Sequence, residues 1–389
     1  MSYSIIVGLN PALQKRFILS QSTPSLIPSN VHRASVVHTG IGGKGQDVAI
    51  AMTCICGNDM SSMIHLMQFM GRDASGDTAL SKLKSYQSNN SIIDFDALTV
   101  RCCAPLRTCT TIIGDNGATE LMEPTGSIRD FEIESMHVNL NQLLMKYETG
   151  CSFQGLCIMG SMPPGCPPNY YAQICDQITQ TIGKKGYGSY KCLIDSVVGL
   201  EYLLKQMEDS AGLFECMLKI NYGELCRLAN IDTTTDVQEA SVNDVGFAIE
   251  RLIDKYDNID RTVKYIAVTN GKYHAYFVDM DKREKDKISF YKLEGFDISS
   301  DHGIYPIGAG DAVAAGTFAV WCKTPLNDDL NNMVYIHQNS ISDGLNAFRF
   351  GLACGSASCL QEENSVVDIH DINKIFPRIT MEEVELKNM

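Results

Sequence analysis

The sequence predicts an α/β protein with a mostly parallel central sheet, helices on both faces of that sheet, and a second, smaller β-sheet. Through most of the second half of the chain, short apolar runs alternate with segments whose apolar residues recur at helical spacing. Strands that alternate with helices favour a parallel sheet, because each crossover helix returns the chain to the same end of the sheet. Two β-rich segments, residues 12–39 and 93–123, have no helical partners. We expect these two segments to form the small sheet, in the position of a lid.

The composition indicates a single large domain over residues 1–389. Hydrophobic residues make up 44% of the chain and charged residues 20%, which supplies enough apolar material for a large core. The formal net charge of −14 argues against a nucleic-acid or anionic-membrane surface, because such surfaces draw on clustered Lys and Arg. An anionic small molecule stays open as a ligand, since a few local cations are enough to bind one.

The fifteen cysteines are scattered along the chain, odd in number and without a C-x-x-C pair. Most of them lie in apolar runs, where cysteine behaves as a small hydrophobe, so we predict no metal cluster and a reducing compartment. The chain has no stretch of about 18 uninterrupted apolar residues, and no basic region with an apolar core opens it. We therefore expect a cytoplasmic protein.

The individual elements follow the same signals in chain order. SIIVG is a buried strand that ends at an Asn-Pro turn, DVAIAMTCI is a helix and MIHLMQFMG is a strand. Asp-Asn-Gly at residues 115–117, between two apolar runs, predicts a hairpin. Beyond the hairpin, LCIMGS, KCLIDS, CMLKIN, YIAVTNG and HAYFVDM alternate with helical segments, and the last third is rich in helix. The polar stretch 323–345 is interpreted as an insertion.

The first glycine run, HTGIGGKGQDVAIAM, contains the pattern G-x-G-x-x-G at Gly40, Gly42 and Gly45. A dinucleotide site is not predicted, because the first strand ends more than thirty residues upstream and the following strand lacks an acidic residue at its end. A P-loop is excluded, since Lys44 is followed by glycine. A tight turn with a purely structural role remains an alternative for this glycine run. A lysine in a loop at a helix N-terminus is also a good place for an anion.

The second glycine cluster, IGAGDAVAAGTF, places Gly308, Ala309 and Gly310 directly before an Ala-rich helix. Small residues let backbone N–H groups converge on a ligand, and the helix dipole adds positive potential there. This arrangement suits an anion hole for a phosphoryl group in transfer. Asp311 beside it could deprotonate an attacking hydroxyl group, or it could simply cap the helix.

Eight motifs in order resemble the pfkB carbohydrate kinase family of the ribokinase-like superfamily, and most closely its 1-phosphofructokinase and tagatose-6-phosphate kinase branch. The motifs are LNPAL (9–13), GGKGQDVA (42–49), RTCTTII (107–113), TELMEP (119–124), GSMPPG (160–165), KINYGE (219–224), TNGKYHA (269–275) and GAGDAVAAG (308–316). The resemblance implies a three-layer α/β/α domain with a β-sheet lid. It also implies ATP-dependent phosphorylation of a sugar or a sugar phosphate.

The resemblance also implies roles for single residues on the nucleotide side. Asp311 would be the catalytic base, and the backbone of residues 308–310 would form the anion hole. Asn221 and Glu224 match the family's N-x-x-E motif, which organises Mg²⁺ and the ATP phosphates. Without the family context, Glu224 would be an exposed carboxylate at a helix start. Thr269 and Gly271 correspond to the nucleotide-side loop.

On the acceptor side, the resemblance implies that Gly42 and Gly43 belong to a sugar-phosphate cradle. Lys44 would contact the phosphate of the substrate, with Arg107 as its companion and Ser161 near the same group. A guanidinium and an ammonium group form a sensible pair for a dianionic phosphate. An exposed arginine on a lid strand is the alternative for Arg107.

Two positions depart from the family pattern. Gln14 stands where the family has the aspartate that holds sugar hydroxyls, and Asp47 stands where it has an asparagine. The carboxylate and the amide would then have traded places, which keeps one of each in the pocket. The exchange could instead change the substrate or abolish sugar binding.

The leading hypothesis is therefore an ATP- and Mg²⁺-dependent sugar-phosphate kinase. One alternative is a catalytically weak scaffold or regulatory protein with a kinase fold. The other is a kinase of the ribokinase or fructokinase type, which acts on an unphosphorylated sugar. The expected partners are ATP and a sugar phosphate, without nucleic acid or membrane. Two lids would pair in a homodimer if one lid face is exposed.

Overall fold

A computed structural model of the chain describes residues 1–20, 25–59, 61–87, 92–114, 117–148, 150–183, 189–210, 212–232, 239–280, 288–295, 304–336 and 342–385. Its strands are β1 (Ser2–Val7), β2 (Ala12–Leu19), β3 (Ala34–Gly42), β4 (Ser62–Gly71), β5 (Ile93–Asp94), β6 (Thr99–Cys102), β7 (Thr108–Gly114), β8 (Gly117–Met122), β9 (Ser152–Met159), β10 (Tyr190–Asp195), β11 (Phe214–Asn221), β12 (Val263–Thr269), β13 (Ala275–Asp279), β14 (Ser289–Glu294) and β15 (Thr380–Glu383).

The helices are α1 (Lys44–Ile55), α2 (Ala74–Ser85), α3 (Asp130–Lys146), α4 (Tyr170–Ile182), α5 (Leu200–Asp209), α6 (Tyr222–Leu228), α7 (Val242–Lys255), α8 (Ile259–Thr262), α9 (Ala309–Trp321), α10 (Asp328–Ile336), α11 (Asp343–Ser358) and α12 (Ile369–Ile375). A short 3₁₀ helix, Phe376–Arg378, follows α12.

The large sheet has eleven strands in the spatial order β15-β14-β13-β12-β11-β10-β9-β1-β4-β5, with β6 also paired to β4. The strands from β12 to β5 run parallel, and β13, β14 and β15 extend the sheet in antiparallel fashion. The structure therefore confirms the predicted α/β class with a mostly parallel sheet. In a parallel sheet, the carboxyl ends of all strands meet at one edge, which is where such folds place their ligands.

Helices cover both faces of the large sheet, because neighbouring residues of a strand point to opposite faces. In β1, Ile6 packs into the core layer of α1, α9 and α11, whereas Ile5 and Val7 pack into the layer of α3, α4 and α7. This double burial explains why the strands read as continuous apolar runs in the sequence. The result is a three-layer α/β/α arrangement.

The small sheet has four strands in the order β3-β2-β7-β8. The hairpin of β7 and β8 is closed by the pair Gly114 and Gly117, which confirms the predicted hairpin, while its turn residues 115 and 116 lie outside the described residues. The register places Gln14, Arg16 and Glu120 on one face of the sheet, together with Thr111 and Met122. We call this four-stranded sheet the lid.

The predicted lid segment 93–123 begins too early. Ile93–Asp94 and Thr99–Cys102 pair with β4 of the large sheet, so only the part from Thr108 onward belongs to the lid. The reason is burial: Ile93 and Val100 pack into the two core layers, which offer more apolar contact than a half-exposed sheet. Pattern alone does not tell which sheet a short strand joins.

The predicted insertion at 323–345 contains α10, whose Leu330 and Val334 pack into the core layer beside α9 and α11. Residues 337–341 of this stretch lie outside the described residues. In the described part of the chain, every helix is too short or too polar to cross a membrane.

Candidate active site

A cavity of about 730 Å³ lies between the carboxyl ends of the parallel strands and the inner face of the lid. Gly8, Gly160 and Ser196 follow directly after β1, β9 and β10, and Asn221 ends β11. From the lid side, Gln14, Glu120 and Met122 line the same cavity. The fold therefore joins residues that are far apart in the chain around one space.

A cluster of charges lies next to this cavity, and two of its members, Lys44 and Glu224, line it. Lys44 Nζ lies 2.6 Å from Asp195 Oδ1 and 2.8 Å from Glu224 Oε1, and Lys219 Nζ lies 2.5 Å from Asp195 Oδ2. Asp195 and Lys219 are buried. Although burial opposes ionisation, the neighbouring Lys219 and Lys44 hold the pKa of Asp195 below its usual range.

Four different elements supply the cluster. Asp195 is the last residue of β10 and Lys219 lies next to it in the neighbouring strand β11, while Lys44 is the first residue of α1. Glu224 is the third residue of α6, and one of its oxygens accepts a hydrogen bond from the backbone N–H of Asn221 (3.0 Å). Glu224 is only 8% exposed, so the alternative of an exposed carboxylate at a helix start is wrong.

Asp311 lies in the first turn of α9, on the wall of the cavity. The helix begins after Gly308, and no side chain caps its first turn, so Asp311 is not the capping residue. Burial and the negative charge of Asp195 raise the pKa of Asp311 to about 7, against the opposing effect of Lys44 and Lys219. A carboxyl group with this pKa can take up a proton near neutral pH.

Gly308 precedes α9 in a left-handed conformation, with φ of 82°. A Cβ atom there would come within 2.4 Å of Ser365 Oγ, which donates a hydrogen bond to the Gly308 carbonyl (3.0 Å). Gly308 lines the cavity, whereas Ala309 donates its N–H to the carbonyl of Pro306 (3.2 Å). The anion hole formed by Gly308, Ala309 and Gly310 stays a prediction.

The first glycine run connects the lid to α1. Gly42 ends β3, and Gly43 precedes α1 with φ of 117°, a region that favours glycine. A Cβ atom on Gly45 would lie 2.3 Å from the Cα atom of Gly8, so the backbone of α1 touches the end of β1. The glycines therefore bring Lys44 close to the strand ends, as the structural interpretation requires, and the binding interpretation stays a prediction.

Arg107 lines the cavity where the chain enters β7. Its guanidinium group donates to the carbonyls of Asn10 (2.9 Å) and Pro11 (3.3 Å), and burial lowers its pKa. It is half-buried, so the alternative of an exposed lid arginine is wrong. Ser161 lies nearby, where its hydroxyl accepts a hydrogen bond from Asn10 Nδ2 (3.0 Å).

Gln14 and Asp47 both line the cavity, but their polar groups are used differently. Gln14 donates to Thr111 Oγ1 (3.3 Å) and accepts a hydrogen bond from Asn364, so both ends of its amide are engaged. Asp47 is only 5% exposed, and its Oδ1 has no hydrogen-bond partner. Burial and the charge of Asp311 raise the pKa of Asp47 well above its usual range, against the opposing charge of Arg16.

Thr269 ends β12 and pairs with Asn221 at the end of β11. Gly271 follows in a turn with φ of 59°. Neither belongs to the described residues that line the cavity. Asn270 between them is buried, and neither its side-chain oxygen nor its nitrogen has a hydrogen-bond partner, an arrangement that costs stability.

The cavity thus brings together most of the residues that the sequence singled out: Gln14, Gly42, Gly43, Lys44, Asp47, Arg107, Ser161, Asn221, Glu224, Gly308 and Asp311. Sequence reasoning missed Asp195 and Lys219 as members of the site. The sequence does carry a signal for them, because Asp195 ends the apolar run KCLID and Lys219 lies inside the apolar run CMLKIN. A charge in a buried strand needs a partner. It also missed Asn364 and Arg227 on the cavity wall, for which the sequence offers no signal.

A second cavity, of about 640 Å³, opens at the opposite end of the large sheet, where β1, β9 and β10 begin. It contains none of the predicted site residues. Among the described residues, no group of three or more His, Cys, Asp or Glu side chains is arranged to hold a metal ion.

The raised pKa of Asp311 predicts a pH-dependent stability difference for Asp311→Asn. In the unfolded chain an aspartate ionises near pH 4, whereas Asp311 in the folded protein keeps its proton up to about pH 7. The folded protein therefore loses stability relative to the unfolded chain as the pH rises from about 4 to 7. The variant has no such proton to lose. Its free energy of unfolding relative to the unmodified protein should therefore rise by roughly 1–2 kcal/mol between pH 5.5 and pH 8.

Urea unfolding at both pH values measures this difference. Asp254→Asn, on the exposed side of α7, is the matched control and should show no pH-dependent change. A stability difference for Asp311→Asn that stays constant or falls with pH would contradict a raised pKa.

No protein-family model matches the chain. Among solved structures, phosphofructokinase-2 from Escherichia coli in complex with potassium is 19% identical, with 97% of this chain and 99% of that chain covered and a TM-score of 0.66. A possible 1-phosphofructokinase from Thermotoga maritima is 17% identical, with 98% and 100% covered and a TM-score of 0.66. Ribokinase from Giardia lamblia is 14% identical, with 96% and 99% covered and a TM-score of 0.63.

The Escherichia coli protein has also been solved in complex with fructose-6-phosphate and in a tetrameric inhibited form, which match with TM-scores of 0.64 and 0.65. The similarity extends over nearly the whole length of each chain. It confirms, at the level of the fold, the resemblance that the eight motifs indicate. The chain has a ribokinase-like fold.

Proposed function

We propose that this protein is a sugar kinase that transfers the γ-phosphoryl group of ATP to a hydroxyl group of a sugar phosphate. The observation that carries the proposal is Asp311, a carboxyl with a pKa raised to about 7 on the wall of a lid-covered cavity. The similar structures support it, because they are those of phosphofructokinases and a ribokinase.

In the proposed step, an acceptor hydroxyl oxygen attacks the γ-phosphorus. The bond from this phosphorus to the β,γ-bridging oxygen breaks, and ADP leaves with that oxygen. Asp311 accepts the hydroxyl proton. The N-terminus of α9 lies beside Asp311, where its backbone dipole can stabilise negative charge on the group in transfer.

Arg107 and Ser161 are the proposed contacts for the phosphate of the acceptor. Arg107 is held by two backbone carbonyls, so its positive charge is not neutralised by these partners. Gly42 and Gly43 also line the cavity as the proposed cradle, and Asp47 supplies a carboxyl group for sugar hydroxyls, since both ends of the Gln14 amide are engaged. The exchange of the amide and the carboxylate between positions 14 and 47 is part of this proposal.

Asn221, Glu224, Thr269 and Gly271 are the proposed residues of the nucleotide side. Both oxygens of Glu224 are engaged, one by the backbone of Asn221 and one by Lys44. The side-chain oxygens of Asn221 and Glu224 can hold a Mg²⁺ ion through bridging water molecules when this ion arrives with the nucleotide, since Mg²⁺ usually keeps several waters. When bound, Mg²⁺ neutralises charge on the β- and γ-phosphates.

One observation favours an unphosphorylated sugar as the second candidate acceptor. Lys44 is paired with Asp195 and Glu224 and is therefore not a free cation for a substrate phosphate. Arg107 alone would then have to bind that phosphate. The acceptor that the protein phosphorylates distinguishes a sugar-phosphate kinase from a kinase of unphosphorylated sugars.

A kinase assay with a panel of acceptors tests the function. ATP consumption with Mg²⁺ is measured on fructose 1-phosphate, fructose 6-phosphate, tagatose 6-phosphate, fructose and ribose. We expect turnover on a phosphorylated sugar, and Asp311→Asn should lower kcat by roughly 10²–10⁴, the usual effect of losing a general base. The kcat/KM of the unmodified protein should fall as the pH drops below about 7, because the base is then protonated.

Turnover on the free sugars alone would select the second candidate. ATP binding without turnover on any acceptor would instead support the scaffold or regulatory alternative. Normal kcat in Asp311→Asn would remove this residue from the mechanism.

A second prediction concerns Arg107→Gln. Loss of the guanidinium group should raise KM for the phosphorylated acceptor about tenfold or more while KM for ATP stays unchanged. Arg349→Gln is the matched control, since Arg349 is also half-buried and bonded to two backbone carbonyls, those of Ile379 and Phe376, away from the cavity. An unchanged acceptor KM in Arg107→Gln would place the phosphate elsewhere.

We further propose that the lid pairs with a second copy of the chain. On its outer face the register aligns Val37 with Phe17 and Ile112, and Leu121 lies in the next row. Val37 is 53% exposed and Leu121 57% exposed, which leaves an apolar surface that a partner would cover.

Sedimentation analysis of the purified protein tests the lid dimer. The unmodified chain should sediment as a dimer or a larger assembly, and the double variant Val37→Glu/Leu121→Glu as a monomer. Phe131→Glu, at an exposed apolar residue of α3, should leave the assembly intact. A monomeric unmodified protein would overturn this proposal.

A further inference from the structure

The cavity wall carries three basic side chains in the described part of the chain: Lys44, Arg107 and Arg227. The charge of Lys44 is taken up by Asp195 and Glu224. Two arginines therefore supply the positive charge that is available to anionic ligands. The proposed reaction has two anionic substrates, and Arg107 is assigned to the acceptor.

Arg227 projects from the last turn of α6, three residues after Glu224. Residues three apart lie on the same side of a helix, so Arg227 continues the wall that Glu224 begins. Arg227 is exposed, and among the described residues no hydrogen bond or ion pair engages its side chain. It is thus an uncompensated cation on a cavity wall.

The two arginines are attached to different parts of the sheet edge. Arg107 is bonded to the chain segment that follows β1, and Arg227 lies on the helix that follows β11. These strands are three positions apart in the sheet order β11-β10-β9-β1, or roughly 14 Å at the usual strand spacing of ~4.8 Å. The wide separation of these strands favours different phosphates for the two side chains.

We propose that Arg227 binds a phosphate group of the nucleotide. The assignment rests on the proposed function, because it takes the nucleotide to be the ligand of the α6 side. A guanidinium group presents two parallel N–H donors to phosphate oxygens, and no carboxylate of the described residues is paired with this one. Arg227 binds the ligand and takes no part in proton transfer.

Titration calorimetry of the full chain with ADP and Mg²⁺ tests the proposal without need of turnover. Arg227→Gln should weaken ADP binding about tenfold, which corresponds to about 1.4 kcal/mol. Arg227→Lys should recover part of this loss, because the charge is kept and the two-pronged contact is not. Arg251→Gln, on the exposed side of α7, is the matched control and should bind ADP normally.

The steady-state constants separate the two phosphate sites. Arg227→Gln should raise KM for ATP and leave KM for the sugar phosphate unchanged, which is the reverse of the result expected for Arg107→Gln. If the acceptor KM rises instead, Arg227 serves the acceptor and the proposal is wrong.

Two further outcomes are decisive. Normal ADP binding by Arg227→Gln with a lowered melting temperature would show that Arg227 only stabilises the end of α6, as a cation at a helix C-terminus can. That result would overturn the role of Arg227 and leave the proposed function intact. If the unmodified chain binds no ADP, the proposed function itself fails, and the role of Arg227 fails with it.

Discussion

The buried ion cluster of Lys44, Asp195, Lys219 and Glu224 is the interaction on which the rest of the site depends. Placing charges inside a protein is costly, and each ion here is tolerated because its partner is within 2.5–2.8 Å. The cluster ties the start of α1 to the ends of β10 and β11 and to the first turn of α6. It also sets the electrostatic field in which Asp311 ionises, because Asp195 raises the pKa of Asp311 and the two lysines lower it. The pKa of Asp311 therefore depends on charged residues from several strands and helices at this edge of the sheet.

The lid adds the second requirement of the site, a surface that faces the strand ends. Its alternating register places Gln14, Arg16 and Glu120 on the inner face, and Phe17, Val37 and Ile112 on the outer face. Arg16 donates to the carbonyl of Glu362 and to the side chain of Asn364, so the base of the lid is bonded to the loop after α11. One sheet thus has two different surfaces, an inner one that lines the cavity and an outer one on which apolar side chains are exposed.

The sequence predicts the fold well because apolar periodicity and strand–helix alternation are local signals. It also predicts Asp311 and Lys44, since glycine-rich turns before helices mark backbone that approaches a ligand, whereas Glu224 is predicted only through the resemblance of NYGE to the N-x-x-E motif. It does not predict that Asp195 and Lys219 join them, because their pairing depends on which strands become neighbours. The same limit explains why the predicted lid segment 93–123 includes two strands, Ile93–Asp94 and Thr99–Cys102, that pair with the large sheet. Arg227 and Asn364 come from segments without a motif, and only the folded chain brings them to the cavity.

The double engagement of Glu224 has a consequence for how two ligands share the cavity. One oxygen of Glu224 holds the backbone of Asn221 and the other holds Lys44, so the two halves of the site meet at a single carboxylate. An anion that draws Lys44 away leaves this carboxylate unbalanced, and a cation that arrives with the other ligand restores the balance. In a sugar kinase of the proposed kind, occupancy of one half would change the affinity of the other, and thermodynamic reciprocity would make the effect equal in both directions. Such a centre would favour the ternary complex over either binary one.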